Sequence, residues 1–324
     1  MYKSNQSPPP VLTALGMVAV LFVGVLGMPQ SAIAEAKAEP AGSYKQKFFR
    51  TPDDAVRAVL DACRSNDVPA LLDIFGDEYK GLIDTDDHAG DRQRRREFYE
   101  LARETKRLVK ESDGRMILSV GKDAWPFPIP LVREADGWRF DTAAGQEEIL
   151  NRRIGENELD TIVISRAYVT AQRQYASRDR DGDEVLEYAQ RIASTKGKKD
   201  GLYWEVERES GDELSPFGPL VIEAGDYMDG RKAGDPFKGY YYKVLTRQGR
   251  NPPGGKYDYI INGNMIAGFA LVAFPADYGV SGVMTFVVSH QGKVYEKDLG
   301  EKTAGIVKKM KEYDPDKTWT EAPE

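Results

Sequence analysis

The feature that most constrains this chain is a change of periodicity just after Asp141. Before it, Pro126, Pro128 and Pro130 alternate with Phe127, Ile129 and Leu131. A proline brings no backbone N–H to a sheet ladder, so this stretch predicts an edge strand or a polyproline-like segment. Asp136-Gly137 is a two-residue hairpin signal between strands expected at 128–133 and 138–141. Beyond Asp141, Leu159, Val163, Ala167, Ala171 and Tyr175 step by four, with Ile162 and Thr170 in the i+3 positions. That spacing is one face of a helix. Asn157 stands where a cap belongs, and Asp160 can accept orphan N–H groups in the first turn. The helix is expected to stop near Ser177, before the run Asp179-Arg180-Asp181-Gly182-Asp183.

Ahead of the break, helix signals come first and strands follow. Thr51 caps, Pro52 takes the first helical position, and Asp53 and Asp54 fill the first turn. Asp67 caps a short helix carrying Leu71, Leu72, Ile74 and Phe75. A third helix over 92–110 places Phe98, Leu101, Ala102, Thr105 and Leu108 on one side. Strands at 116–120, 128–133 and 138–141 complete an α+β unit. After the break, strands are expected at 240–246, 257–262, 269–274, 284–289 and 293–298, separated by Gly, Pro and Asn turns, with a short helix around Ile306, Val307 and Met310. The whole chain is therefore α+β in two domains. The first spans 51–142, a helical bridge 143–156, the second 157–300, and a terminal helix and tail 301–324.

The N-terminus has the form of a secretory signal over 1–34. Lys3 is its only charge, Val11 to Met28 is apolar, and Ala32-Ile33-Ala34 fits a small-residue cleavage pattern. A retained membrane helix is the alternative, since eighteen apolar-rich residues can just span a bilayer. Residues 35–50 read as a flexible leader. These features place the protein in the periplasm or outside the cell, with no stable membrane span once the signal is removed. The formal net charge of −7 argues against a nucleic-acid partner, which favours a basic face. Cys63 is the only cysteine, so no intramolecular disulfide or multi-cysteine metal site exists. It sits on the apolar face Val56, Val59, Leu60, Cys63 and is expected to be a small buried hydrophobe.

One constellation has metal-ligand spacing: Asp179, Asp181, Asp183 and Glu187. Alternating carboxylates in a tight turn direct several oxygens to one point, as a hard cation such as Ca²⁺ requires. The first five positions follow an EF-hand loop. Glu184 replaces the turn glycine at the sixth, however, and Gln190 stands at the twelfth instead of a bidentate Glu. A full EF-hand is excluded, leaving a looser calcium loop or a solvated helix-terminating turn. In the calcium arrangement Arg180 points outward.

Other chemistry finds little material. His88 and His290 are the only histidines, which leaves no HExxH motif and little for a histidine-based triad. Gly279-Val280-Ser281-Gly282 lacks the last glycine of a nucleophile elbow, because Val283 stands there. Carboxylates are abundant, but no pair stands out as hydrolytic. Arg94-Arg95-Arg96 suggests either an anion site or a solvated helix face. Trp125, Trp138, Trp204 and Tyr240 to Tyr242 either line a sugar or peptide site or pack in the core.

Three likenesses bear on this reading. The order of elements from TPDDAVRAVLDACRSNDVPALLDIF to GWRFD resembles the cone-shaped fold of nuclear transport factor 2, which implies an enclosed pocket in the first domain. The blocks WPFPIPLV, GWRFDTAAGQEEILNRRIGENEL, AYVTAQRQYASRDRDGDEVLEYAQRI, GYYYKVLT and PGGKYDYIINGNMIAGFALVAFPADYGVSGVMTFVVSHQGKVYEKDLG are similar to those of one bacterial family of exported proteins. It is domain of unknown function 2950, and the likeness implies no activity or catalytic residues. The second half also resembles the globular heads of type IV pilins and pseudopilins, implying a long helix on an antiparallel sheet. Here the helix is amphipathic and follows a whole domain, unlike the apolar N-terminal helix of a pilin, so only the head fold is implied.

The function these features point to is that of a non-catalytic binding or accessory module in the cell envelope, with a protein or polymer partner. The alternatives are an exported hydrolase using carboxylates in a first-domain pocket, and a structural, pseudopilin-like component.

Overall fold

The structure, a computed structural model, describes residues 46–85, 88–180, 182–205, 213–219 and 235–323. The signal expected at 1–34 lies outside these residues. The chain is α+β and divides into two compact units, the first ending at Asn151 and the second starting at Arg152. Each has its own apolar cluster. Among the described residues, no helix is long and apolar enough to cross a membrane.

In unit 1, helix α1 (Pro52–Ser65) begins as its sequence dictates: the Thr51 hydroxyl accepts the Asp54 N–H and Pro52 fills the first turn. Asn66 ends it in the left-handed region at φ 54°, a conformation asparagine tolerates better than most residues. Asp67 then caps α2 (Val68–Phe75) by accepting the Ala70 N–H. A single turn, α3 (Lys80–Ile83), precedes α4 (His88–Glu104). The expected third helix over 92–110 is too long at its C-terminal end. Lys106–Ser112 is instead strand β1, paired antiparallel with β2 (Arg115–Val120). Asp113-Gly114 is the hairpin turn that forces this, and it outweighs the helical spacing of Thr105 and Leu108.

β3 (Trp125–Pro126), β4 (Leu131–Glu134) and β5 (Gly137–Phe140) complete the sheet, in the order β1-β2-β4-β5 with β3 against β2. Of the alternating prolines, Pro126 lies in the edge strand β3, while Pro128 and Pro130 are buried in the irregular stretch between β3 and β4, so the strand expected at 128–133 begins at Leu131. Phe127, Ile129 and Leu131 are fully buried. The rings of Phe75, Phe98, Phe127 and Phe140 fill the interior, with centroids 5.0 Å apart for Phe75–Phe140 and 5.2 Å for Phe98–Phe127. Cys63 is buried among these apolar side chains, and burial pushes its thiol up to about 12. It is the inert hydrophobe the sequence suggested.

The bridge at 143–156 and the helix expected at 157–177 are one helix, α5 (Thr142–Tyr175). Asn157 therefore lies in its interior, where its side-chain amide donates to the Ser281 carbonyl at 2.8 Å. The buried stripe of α5 also differs from the expected one. Ile162, Ala171 and Tyr175 are buried as expected, but Leu159 and Val163 are half exposed, and Thr161, Ser165, Tyr168 and Gln172 are buried beside them. Three of those four are polar, which is why apolar spacing missed them. Two are satisfied locally or by a loop: Thr161 donates to the Asn157 carbonyl at 2.7 Å. Gln172 donates to the Ala189 carbonyl and accepts the Ala189 N–H, each at 2.8 Å.

The sheet of unit 2 is antiparallel, in the order β15-β13-β12-β11-β6. Its strands β6 (Tyr240–Leu245), at one edge, and β11 (Ala270–Pro275), β12 (Met284–Ser289) and β13 (Val294–Asp298) lie where the turn signals placed them. The opposite edge strand, β15, is Thr320–Glu321. Helix α6 (Thr303–Lys309) packs near β11, and Lys243 closes its C-terminus by donating to the carbonyls of Val307, Lys308 and Met310. A small second sheet joins β7 (Arg247–Gln248), β8 (Tyr257–Asp258) and β14 (Glu312–Tyr313). Buried Gln248 holds the intervening Asn251–Gly255 loop by donating to the carbonyls of Pro253 and Gly255. β9 (Ile260–Ile261) and β10 (Asn264–Met265) form a hairpin.

Candidate functional site

The acidic run begins four residues after α5 ends. Asp179 folds over the turn, its two carboxylate oxygens accepting the N–H groups of Gly182 at 2.8 Å and Glu184 at 2.9 Å. The backbone turns left-handed twice, at Gly182 (φ 82°) and Glu184 (φ 68°). Glu184 thus adopts, without being glycine, the kind of backbone that an EF-hand loop asks of its sixth residue. The next residues lie along the β9–β10 hairpin, whose turn Asn262-Gly263 has φ 52° and 97°, as a type I′ turn requires.

Three side chains clasp the two segments. Asn264 donates to Asp183 Oδ2 at 2.8 Å, the Met265 N–H to Glu187 Oε2 at 3.0 Å, and Gln190 to the Gly263 carbonyl at 2.6 Å. The Tyr188 N–H adds a bond to the Met265 carbonyl at 2.8 Å. Asp179, Asp183 and Glu187 thus already hold backbone or amide donors, and they do not bring three carboxylate oxygens within 4.8 Å of one another. Asp181 lies outside the described residues. An ionised carboxylate has about four lone-pair sites, so each of the three keeps acceptor capacity.

Arg180 does not point outward. Only 4% of its side chain is exposed. Its guanidinium lies 4.9 Å from the Tyr175 ring and 5.9 Å from the Trp204 ring, and it donates to the Tyr175 carbonyl and, at 3.0 Å, to Glu213. A flat cation that stacks on aromatic rings and satisfies carbonyls is more stable there than in the loop's solvent. Trp204 and Tyr240 accordingly pack in the core, while Trp125 and Trp138 pack half-buried against that of unit 1.

The structure also assembles groups that the sequence did not pair. At the start of α4, Asp84, His88 and Asp91 bring one ligand atom each within 4.8 Å of one another. Asp91 is buried, and its oxygens already accept the Thr85 N–H at 2.6 Å and the Arg94 guanidinium. Burial pushes its carboxyl up, but these donors outweigh it and hold the carboxyl below its ordinary range. A metal ion there would compete with the Thr85 and Arg94 donors for the Asp91 oxygens.

In unit 2, Glu158 on α5 accepts the N–H groups of Val283 and Met284, both at 2.9 Å, and Tyr240 donates to the Met284 carbonyl at 3.0 Å. Burial, reinforced by the nearby charge of Glu158, pushes the Glu296 carboxyl up. More than a hundred residues separate Glu158 from Glu296, so no local spacing could have joined them. The pair lies outside the first domain, where carboxylate chemistry was expected.

The model of one protein family matches residues 46–322, nearly all of the described chain. The chain belongs to that family. It is described as "Protein of unknown function (DUF2950)", which agrees with the resemblance carried by the sequence blocks. No curated protein and no solved structure matches the chain. For this DUF2950 member, geometry is the guide to the site. Beside the clasp, Leu186, Ile261 and Ile266 stand 59%, 45% and 42% exposed, in segments whose register the clasp fixes.

Proposed function

We propose that this DUF2950 protein is a non-catalytic binding or accessory module of the cell envelope, exported by its N-terminal signal and released into the periplasm or medium. The observation that supports this reading is the clasped pair of segments. Asp183, Glu187 and Gln190 each commit a side-chain polar atom to holding the hairpin, and the same segments leave three large aliphatic side chains in solvent. Exposed apolar groups on a fixed scaffold suit a partner surface better than a reaction centre. Two measurements test it. Intact mass of the exported protein is expected to show a chain starting near Glu35, and a membrane-retained species carrying Met1 would overturn export with release. A photo-cross-linker at Leu186 is expected to capture one envelope partner, and Ile261→Glu to abolish the capture. Capture unchanged by Ile261→Glu would remove the hairpin from the surface.

A second reading adds Ca²⁺ to the same loop, through Asp179, Asp181, Asp183 and Glu187. It is favoured by the left-handed Glu184 and by Asp179 accepting two N–H groups of its own turn. With no bidentate Glu at the twelfth position, affinity is expected on the order of 10⁻⁴–10⁻³ M, the range of extracellular modules. Tenfold excess over Kd then stabilises the fold by about 1.4 kcal/mol. The melting temperature should rise with Ca²⁺ over chelator in the parent and not in Asp181→Ala. Equal melting in both conditions would leave the loop as a structural clasp alone.

A further inference from the structure

The arginine run at the centre of α4 divides between three tasks. Arg94 pairs with Asp91. Arg95 is buried and donates to Asn66 Oδ1 and the Ile83 carbonyl, each at 2.8 Å. Arg96 does neither. It faces a groove of about 390 Å³ between the end of α1 and α4, which Arg64, Asn66, Arg92, Tyr99 and Glu100 also line.

The charges of this groove do not cancel. Arg64 is matched by Asp61 at 3.2 Å, and Glu100 is taken by Arg103 at 3.1 Å. Among the described residues, Arg92 and Arg96 have no hydrogen bond or ion pair. They stand at i and i+4 on one helix face, the spacing at which like charges repel. Asn66 has given its oxygen to Arg95, so its amide N–H groups are left to donate. The wall therefore offers donors from two helices, with one carboxylate already neutralised. An adjoining hollow shares Arg96 and Glu100 but adds Glu97 and Glu104, so acids outnumber bases there. The excess positive charge belongs to the first groove.

We propose that this groove binds the phosphate group of a small phosphorylated molecule, with Arg92 and Arg96 as its principal ligands and Arg64 and Asn66 completing the cradle. Guanidinium forks match phosphate oxygens bidentately. Donors that converge from two helices suit a tetrahedral oxyanion better than a planar carboxylate. The volume falls within the range of small-molecule pockets, so an organic group accompanies the phosphate. The phosphate can belong to a soluble phosphomonoester or to a phospholipid headgroup, which share this chemistry. The site lies in unit 1 and stands independently of the partner surface and calcium loop proposed for unit 2.

The test uses the full chain, with glycerol 3-phosphate and phosphatidylglycerol vesicles as probes and citrate as a carboxylate comparison. Saturable binding of at least one phosphate probe is expected, weakening as salt rises. Each of Arg92→Gln and Arg96→Gln should weaken it roughly tenfold, the worth of one charge-assisted hydrogen bond. Arg57→Gln removes the same charge from a part of α1 outside the groove and should leave binding unchanged. Removing the repelling pair should not lower the melting temperature without ligand, which separates lost binding from lost folding. Binding only to vesicles with this dependence assigns the phosphate to a lipid, and binding only to glycerol 3-phosphate assigns it to a soluble ester. No saturable binding of either probe, equal binding by the double variant, or preference for citrate would overturn the proposal.

Discussion

The two units solve the problem of burial differently. Unit 1 closes on four phenylalanines, and its interior could be filled by many apolar sets of similar volume. Unit 2 buries aromatic and aliphatic side chains as well, but it also buries Gln172 and Gln248 completely, each spent on the backbone of a loop. An apolar interior says that a region must be compact. A buried amide that exchanges two bonds with one residue's backbone says where that residue must be. Unit 1 fixes its own segments with charged groups instead, Asp91 accepting the Thr85 N–H and buried Arg95 donating to the Ile83 carbonyl, so the two units differ in whether charge or a neutral amide sets the position.

The largest expected effects test this contrast directly. Phe127→Ala should remove about 3–5 kcal/mol from unit 1, by lost transfer energy and by the cavity left among three other rings. Gln172→Leu keeps the volume of unit 2 but strands the N–H and C=O of Ala189, at roughly 1–3 kcal/mol for each group left without a partner. Urea melts in single-tryptophan backgrounds, one retaining Trp138 to report on unit 1 and one retaining Trp204 to report on unit 2, are expected to show each variant shifting mainly one transition. If both probes shift together in both variants, the chain is one cooperative core and the division at Asn151 has no energetic meaning.

The same contrast explains what could be read from the sequence. The capped starts of α1 and α2, the main strands of unit 2 and the burial of Cys63 follow from local signals: Thr51-Pro52, Asp67, Gly, Pro and Asn turns and a simple apolar face. The face of α5 followed only in part: Ile162, Ala171 and Tyr175 are buried, but Thr161 and Gln172 are buried polar residues that pair with backbone, and apolar spacing pointed instead to half-exposed Leu159 and Val163. The end of α4 did not follow, because the helical spacing of Thr105 and Leu108 runs past Glu104 into strand β1. The acidic run was visible as a cluster of potential ligands. That Asp183 and Glu187 reach the β9–β10 hairpin, and that Arg180 turns inward to Trp204 and Glu213, depends on residues two dozen or more positions away. Of the arginine run, only its charge was visible. Its division depends on Asn66, Ile83 and Asp91 meeting α4 at different points.

Carboxylates sharpen the comparison through pH. In unit 1, Asp91 is held below its ordinary value of 3.8, because the Thr85 and Arg94 donors outweigh its burial. Its contribution to stability is present above pH 3.8 and is lost as pH falls through the lowered value. In unit 2, Glu296 is raised above its ordinary 4.5 by burial and then by Glu158. That contribution has the opposite sign: it is full below pH 4.5 and is lost as pH rises through the raised value. At pH 7, Asp91→Asn should therefore lower the melting temperature and Glu296→Gln should raise it. Both differences should shrink on acidification, that of Glu296→Gln as pH approaches 4.5 and that of Asp91→Asn only below 3.8. A Glu296→Gln gain that persists unchanged at pH 4 would mean that the substitution acts through packing rather than charge.

The smallest expected effect compares two left-handed residues, one in each unit. Asn66 ends α1 at φ 54° and Glu184 sits in the acidic turn at φ 68°. Asparagine visits this region readily, whereas a residue such as Glu is strained there by roughly 1–2 kcal/mol. Glycine relieves the strain but gives back part of the gain, about 0.5–1 kcal/mol, through the greater freedom of its unfolded chain. Glu184→Gly should therefore stabilise unit 2 by less than about 1 kcal/mol in the absence of calcium. Asn66→Gly should destabilise unit 1, because Asn66 Oδ1 holds the Arg95 guanidinium at 2.8 Å and Arg95 is buried. Opposite signs for one chemical change would show that the side chain decides the outcome at Asn66, whereas at Glu184 the left-handed backbone is merely tolerated. Glu184→Gly would also give the acidic loop the glycine that an EF-hand loop has at its sixth position. If the calcium reading holds, the variant's melting temperature should respond to calcium at least as strongly as the parent's. A loss of stability in Glu184→Gly would show instead that the Glu184 side chain makes a contribution larger than its backbone strain.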